Sequence, residues 1–180
     1  MRQLEHGIAD AKGAWRRALS RSGRTSPDTI QPARLVIRLD SSDLQETKGK
    51  GAKLSTKPWR DIVVSAVNWL GPTPVTFLAQ HAASHPLLED LIRFSHRLEC
   101  FTELVIDGTG IDQERAETLI DCGLARVRVL VGGVSDEIQQ AVVGNTASDA
   151  TKAVNCFVAA KRNRQSSLDI EIAIPWQGPV

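Results

Sequence analysis

The chain has 180 residues, enough for one domain with a real hydrophobic core. Apolar residues make up 42% and charged residues 24%, and the formal net charge is +1, so no global field draws it to nucleic acid or to an anionic membrane. No apolar run approaches the length of a membrane span, and the start, MRQLEHGIADAKGAWRRALSRSG, has no apolar signal-peptide core, while Glu5 and Asp10 count against a transit peptide.

Residues 1–32 read as a preface, with a short helix in "IADAKGAWRRALSRS" and a turn-rich linker in "GRTSPDTIQP". Residues 33–180 read as one domain of alternating strands and helices. "ARLVIRLD" (33–40) is a strand, followed by a polar loop rich in glycine and lysine. "PWRDIVVSAVNWLG" (58–71) is a helix, with Pro58 in its first turn and Gly71 at its end. Ile62, Val63, Ala66, Val67 and Leu70 share one of its faces. "PVTFL" (74–78) is a strand, "PLLEDLIRFSHRLE" (86–99) a helix and "TELVID" (102–107) a strand. "DQERAETLIDCG" (112–123) is a helix capped by Asp112 and stopped by Gly123. "RVRVLV" (126–131), "SDATKAVNCFVAAKRNR" (148–164) and "LDIEIAIPW" (168–176) complete the pattern as strand, helix and strand. Short connections between strands and helices imply a parallel sheet with right-handed crossovers.

The strands alternate where strands buried on both faces would run continuously apolar. Val127, Val129 and Val131 alternate with Arg126 and Arg128, and Leu168, Ile170, Ile172 and Ile174 with Asp169 and Glu171. Leu35, Ile37 and Leu39 alternate with Arg34 and Arg38, and Leu104 and Ile106 with Glu103 and Asp107. One face is therefore apolar and carries the helices, and the other is charged. A doubly wound sheet would bury that charge under helices at high cost. The expected architecture is a partial (β/α) barrel of about five parallel strands, with helices on the convex face. Two readings of the charged face stay open. Arg126 and Arg128 pair with Asp169 and Glu171 as an ion-pair lining, or Arg34, Arg38, Glu103, Arg126, Arg128, Asp169, Glu171 and Trp176 line a cavity for a polar ligand.

Ligands of parallel α/β folds bind at the carboxyl ends of the strands. Those ends offer Asp40 and Ser41, Gln80 and His81, Asp107, Gly132 and Gly133, then Trp176 and Gln177. Asp40, His81 and Asp107 are the catalytic or metal-binding candidates by residue type, although their spacing imposes no metal site. "VGGVSDE" and "DGTGID" read as turns, since neither has a phosphate-loop spacing. Cys100, Cys122 and Cys156 lack the close spacing of a zinc or iron–sulfur site and read as reduced, buried hydrophobes, which points to a cytoplasmic protein. His6 and His96 read as solvated, His85 as the start of the second helix, and Trp15, Trp59 and Trp69 as helix packing residues.

From about Arg34 to Trp176, the phrases "PVTFL…HPLLEDLIRF", "ELVIDGTGIDQERAETLIDCGLARVRVLVGGVSDEIQQAVVG" and "IEIAIPW" resemble the core of radical S-adenosylmethionine enzymes. The resemblance implies a partial (β/α)6 barrel, a [4Fe–4S] cluster and S-adenosylmethionine. It also implies a CxxxCxxC loop after the first strand, where three thiolates hold the cluster. Here that stretch is "LDSSDLQETKG", with Ser42, Glu46 and Gly49 at the cysteine positions, and residues 1–99 contain no cysteine. The resemblance also implies a glycine-glycine-glutamate-proline turn that contacts the cofactor; here Ala79 and Gln80 stand for the glycines, and the glutamate position falls near His81 or Ala82. The asparagine-bearing end of the third strand is Ile106, Asp107 and Gly108, and the fourth ends in Leu130, Val131, Gly132 and Gly133 without a carboxylate. The framework is kept and every reactive motif departs from it. The expectation is a radical-SAM-like pseudoenzyme without cluster or cofactor, serving as a binding or partner subunit.

Two other readings stand beside it, an enzyme of another class built on Asp40, His81 and Asp107, and a nonfunctional remnant. The chain closes at "PWQGPV", after the fifth strand, so that strand is expected to be an open edge. Its expected cover is a second copy, a full-length relative, or residues 1–30; a coding fragment is the remaining alternative.

Overall fold

A computed structural model of the chain describes residues 34–39, 56–79 and 85–175. The elements in order are β1 (Leu35–Arg38), α1 (Lys57–Leu70), β2 (Val75–Leu78), α2 (Leu88–Arg97), β3 (Thr102–Ile106), α3 (Gln113–Asp121), β4 (Arg126–Leu130), α4 (Asp136–Val142), α5 (Ala147–Asn163) and β5 (Asp169–Ala173). All neighbouring strands are parallel, and the sheet order is β1-β2-β3-β4-β5. Sequential order with right-handed crossovers puts every helix on the same face, whereas a doubly wound sheet reverses its order midway. The α/β half-barrel expected from the alternating strands is thus the observed fold.

Strand register builds the two faces. Ile37, Phe77, Leu104, Val127 and Ile170 stand side by side across all five strands. Ile106, Val129 and Ile172 form the next row. Against these rows pack Val63 and Val67 of α1, Leu88, Leu91 and Ile92 of α2, Ala116 and Leu119 of α3, and Ala153 and Phe157 of α5. Fully burying such side chains stabilises by about 1.5–3 kcal/mol each.

The helices begin and end where local chemistry dictates. Pro58 occupies the first turn of α1, and Gly71 ends it at φ 82°. Asp112 accepts the Arg115 amide at 2.8 Å to cap α3. Thr146 and Asp149 form a reciprocal capping box on α5. The seven-residue α4, capped by Ser135, has no counterpart in the pattern of apolar residues. A helix that short carries too few turns to show a 3.6-residue period.

Three packing expectations are corrected. Ile62 is exposed while Val63 and Val67 are buried, because the core-facing stripe of α1 is narrower than its apolar content. Trp69 is 75% exposed and does not pack on a helix, whereas Trp59 packs against the core. Cys156 is half-buried on α5, while Cys100 and Cys122 are buried as expected. All three are free thiols.

Candidate functional site

The second face of the sheet carries an ion-pair lattice centred on β3. One row reads Val36, Thr76, Glu103, Arg126, Asp169, and the next reads Arg38, Leu78, Val105, Arg128, Glu171. The Glu103 side chain is 1% exposed, although it stands on the polar face. Its carboxylate accepts from Thr76 Oγ1 at 2.9 Å and lies 2.8 Å from Arg128 Nη1 and 3.3 Å from Arg34 Nη1. A buried carboxylate needs such compensation, since desolvating a charge alone is prohibitive.

The lattice continues to the edge. Arg128 Nε donates to Glu171 at 2.5 Å, and Arg126 lies 2.8 Å from Asp169 and 3.1 Å from Glu171. The Arg126 guanidinium also stands 5.3 Å from the centre of the Phe101 ring, a cation–π contact. The proton affinity of Arg128 is raised first by its hydrogen bond to Glu171, against the opposing effect of burial, and then by the charge of Glu103. Seven of the eight residues expected to line a cavity lie on or next to this face, and six are engaged in this network of ion pairs. Arg38 of β1 stands in the row of Arg128, and Trp176 lies outside the described residues.

At the carboxyl ends of β3 and β4, two side-chain amides tie the loops together. Gln139 of α4 is fully buried. Its Oε1 accepts from Gly132 N at 2.7 Å and from Gly133 N at 3.3 Å. Its Nε2 donates to Leu130 O at 3.3 Å and to Asn145 Oδ1 at 2.7 Å. Asn145 Nδ2 in turn donates to Asp107 O. The Asp107 carboxylate accepts from Thr109 N at 3.0 Å and holds its own turn. Gly108 within that turn has φ +92°, and a Cβ there would meet Ala150 Cα at 2.9 Å. Neither Gln139 nor Asn145 stood out in the sequence, because a lone amide in a short polar stretch resembles any solvated residue.

Of the three catalytic or metal-binding candidates, Asp107 lies among the described residues; Asp40 and His81 lie outside them, as do Ser42, Glu46, Gly49 and Gln80. His85 is buried, and its Nδ1 accepts from Leu87 N at 3.3 Å at the start of α2. Burial pushes the Cys100 thiol up against the opposing pull of a backbone hydrogen bond from Thr73. Burial also pushes Cys122 up, opposed chiefly by the Arg93 guanidinium, which donates to its sulfur at 3.1 Å.

The donor set does not fit a [4Fe–4S] cluster. Three thiolates are required in the stretch after β1, and the three cysteines of the chain all lie beyond residue 99. Among the described residues, no group of three or more His, Cys, Asp or Glu side chains is placed to hold a metal ion. Among the same residues, no helix is long and apolar enough to cross a membrane. A separate groove of about 620 Å³ lies on the helical layer, between Gln113 at the start of α3 and Ser148, Thr151, Lys152, Asn155 and Cys156 of α5.

No family model matches the chain. Over 93 residues, 52% of its length, it is 30% identical to a PqqA peptide cyclase of Streptomyces rochei, covering 25% of that protein. It is 24% identical over 177 residues to the PqqA peptide cyclase of Rhizobium meliloti strain 1021, a match spanning 85% of this chain and 47% of the relative. Against the PqqA peptide cyclase of Rhodopseudomonas palustris CGA009 it is 30% identical over 112 residues, covering 62% of this chain and 29% of the relative. The chain spans less than half the length of each of these curated relatives. Together with the half-barrel, these similarities indicate distant homology to the radical S-adenosylmethionine family through the PqqA peptide cyclases, in a chain that contains no CxxxCxxC motif.

Proposed function

We propose that the chain is a catalytically inactive radical-SAM-like domain that acts as a binding or partner subunit. The observation that carries this reading is the distribution of cysteines. A cluster of this type needs three thiolates in one loop, and the first cysteine of the chain is Cys100. The strand ends support it. Backbone amides at Gly132 and Gly133 and the carbonyl of Asp107 are satisfied by Gln139 and Asn145 of the chain itself. The polar face supports it too, since its arginines and carboxylates neutralise one another. What remains is a folded, charge-balanced scaffold whose use lies in what docks on it.

The partner in this reading is either a second copy or a cysteine-bearing relative of the PqqA peptide cyclase kind. Co-expression of the chain with such a relative tests the heterologous arm. Stable co-elution and a change in the relative's turnover on its peptide are the expected results of that arm; two proteins that migrate independently, with turnover unchanged, exclude it.

A further inference from the structure

We infer that β5 pairs with β5 of a second copy, antiparallel and centred on Ile172, to form a homodimer in which the two sheets are continuous. The inference rests on the partner-subunit reading and names the partner. Its starting point is the apolar face of β5. Ile172, on the strand that ends the sheet among the described residues, is 61% exposed, and Ile174, one residue past the end of that strand, is 75% exposed. Isolated exposed apolar residues are ordinary, but two at alternate positions along an edge strand and its direct continuation offer a template for pairing.

Backbone direction narrows the register. Asp169 N donates to Ala125 O, and Ala173 O accepts from Val131 N, so the odd-numbered residues of β5 point their backbone groups at β4. By alternation, Ile170 and Ile172, and Ile174 where the extended backbone continues, point theirs away from β4, at the edge that is unpaired among the described residues. A two-fold antiparallel pair must match these three with their own counterparts.

Side-chain chemistry then selects one register. Centring on Ile172 sets Ile172 against itself and Ile170 against Ile174, three apolar pairs on one face. On the other face it sets Glu171 opposite Ala173 and Asp169 opposite Pro175. Centring on Glu171 would oppose the two Glu171 carboxylates, and centring on Ile170 would oppose Asp169 to Glu171. Like charges directly across a pair destabilise it. Only the Ile172 register pairs all three isoleucines without opposing two acids, so the occupant that fits the edge is another copy of the same edge.

The test is the mass of the full chain in solution, by light scattering on gel filtration over a concentration series. A species of twice the 19.6 kDa chain mass is expected. Ile172→Lys is expected to weaken self-association by roughly 100-fold with an unchanged circular dichroism spectrum, since it removes two apolar contacts and adds two charges. Register is read by mild oxidation in a Cys156→Ser background. Ile172→Cys is expected to cross-link to itself, because hydrogen-bonded antiparallel partners sit about 5.5 Å apart, within disulfide reach. Ile170→Cys alone is expected not to cross-link, because its counterpart is Ile174. A folded chain that stays monomeric overturns the dimer while leaving a heterologous partner open. A dimer indifferent to Ile172→Lys and unlinked at Ile172→Cys overturns the β5 interface.

Discussion

Arg128 of β4 and Glu103 of β3 lie 2.8 Å apart, the guanidinium partly in solvent and the carboxylate sealed beneath it. Glu103 is the one acid of the lattice without access to water, and Arg128 is its shortest ion pair. Arg128→Met is therefore expected to cost about 2–4 kcal/mol, because it removes the shortest ion pair of a buried charge and leaves it only the longer contact with Arg34 and the Thr76 hydroxyl. Arg126→Met, whose acidic partners Asp169 and Glu171 keep solvent access, is expected to cost about 1 kcal/mol or less. Urea unfolding of the two variants side by side checks the ordering; equal losses would mean that Glu103 does not organise the face.

Gln139 satisfies four groups at once, the amides of Gly132 and Gly133, the carbonyl of Leu130 and the side chain of Asn145. Gln139→Leu keeps the bulk and leaves these groups unpaired. A loss of about 2–3 kcal/mol is expected. Hydrogen exchange at Gly132 and Gly133 should accelerate ahead of exchange in β4. If protection there is unchanged, the amide relay does not hold the strand ends.

Gly108 and Gly110 separate backbone strain from crowding. Both have positive φ, but a Cβ at Gly110 meets nothing within 4 Å, while one at Gly108 meets the backbone of Asp149 and Ala150. Gly110→Ala is expected to cost about 1 kcal/mol from the left-handed conformation alone. Gly108→Ala is expected to cost at least about 2 kcal/mol, since the strained turn must also push α5 away. Thermal melts of the pair distinguish the two terms.

The buried thiols give a signed pH response. Cys100 and Cys122 have folded values raised above their unfolded ones, so the folded state holds these protons more tightly. Their contribution is complete below the ordinary thiol value and is lost as pH rises through the raised folded values. Stability should accordingly decline above about pH 8.5, the ordinary thiol value. The Cys100→Ala, Cys122→Ala double variant should show a shallower alkaline decline. In native wild type, only Cys156 should react quickly with iodoacetamide.

Much of the architecture was legible because the strands carry their environment in period two. Arg126 and Arg128 beside Val127 and Val129 predict a sheet with one helical face, and the register bears this out. Cross-strand pairing of those arginines with Asp169 and Glu171 was legible for the same reason. The central role of Glu103 was not, since depth in the sheet depends on strand order and on which side chains fold over it. Helix α4 and its Gln139 escaped because seven residues hold no readable period and because a single amide has no compositional mark. Trp69 misled through its size, as an aromatic residue on a helix implies packing only when its face meets the core.

In the inactive-domain reading the fold persists without the chemistry, and anaerobic reconstitution tests that most directly. The purified full chain is incubated with ferrous iron and sulfide under reducing conditions, desalted, and assayed for iron, for charge-transfer absorbance and for reductive cleavage of S-adenosylmethionine. The expected result is no stoichiometric iron and no cleavage product, with the circular dichroism spectrum unchanged. About four irons per chain together with cofactor cleavage would contradict that reading, because it would require cluster ligands other than three thiolates in the loop after β1.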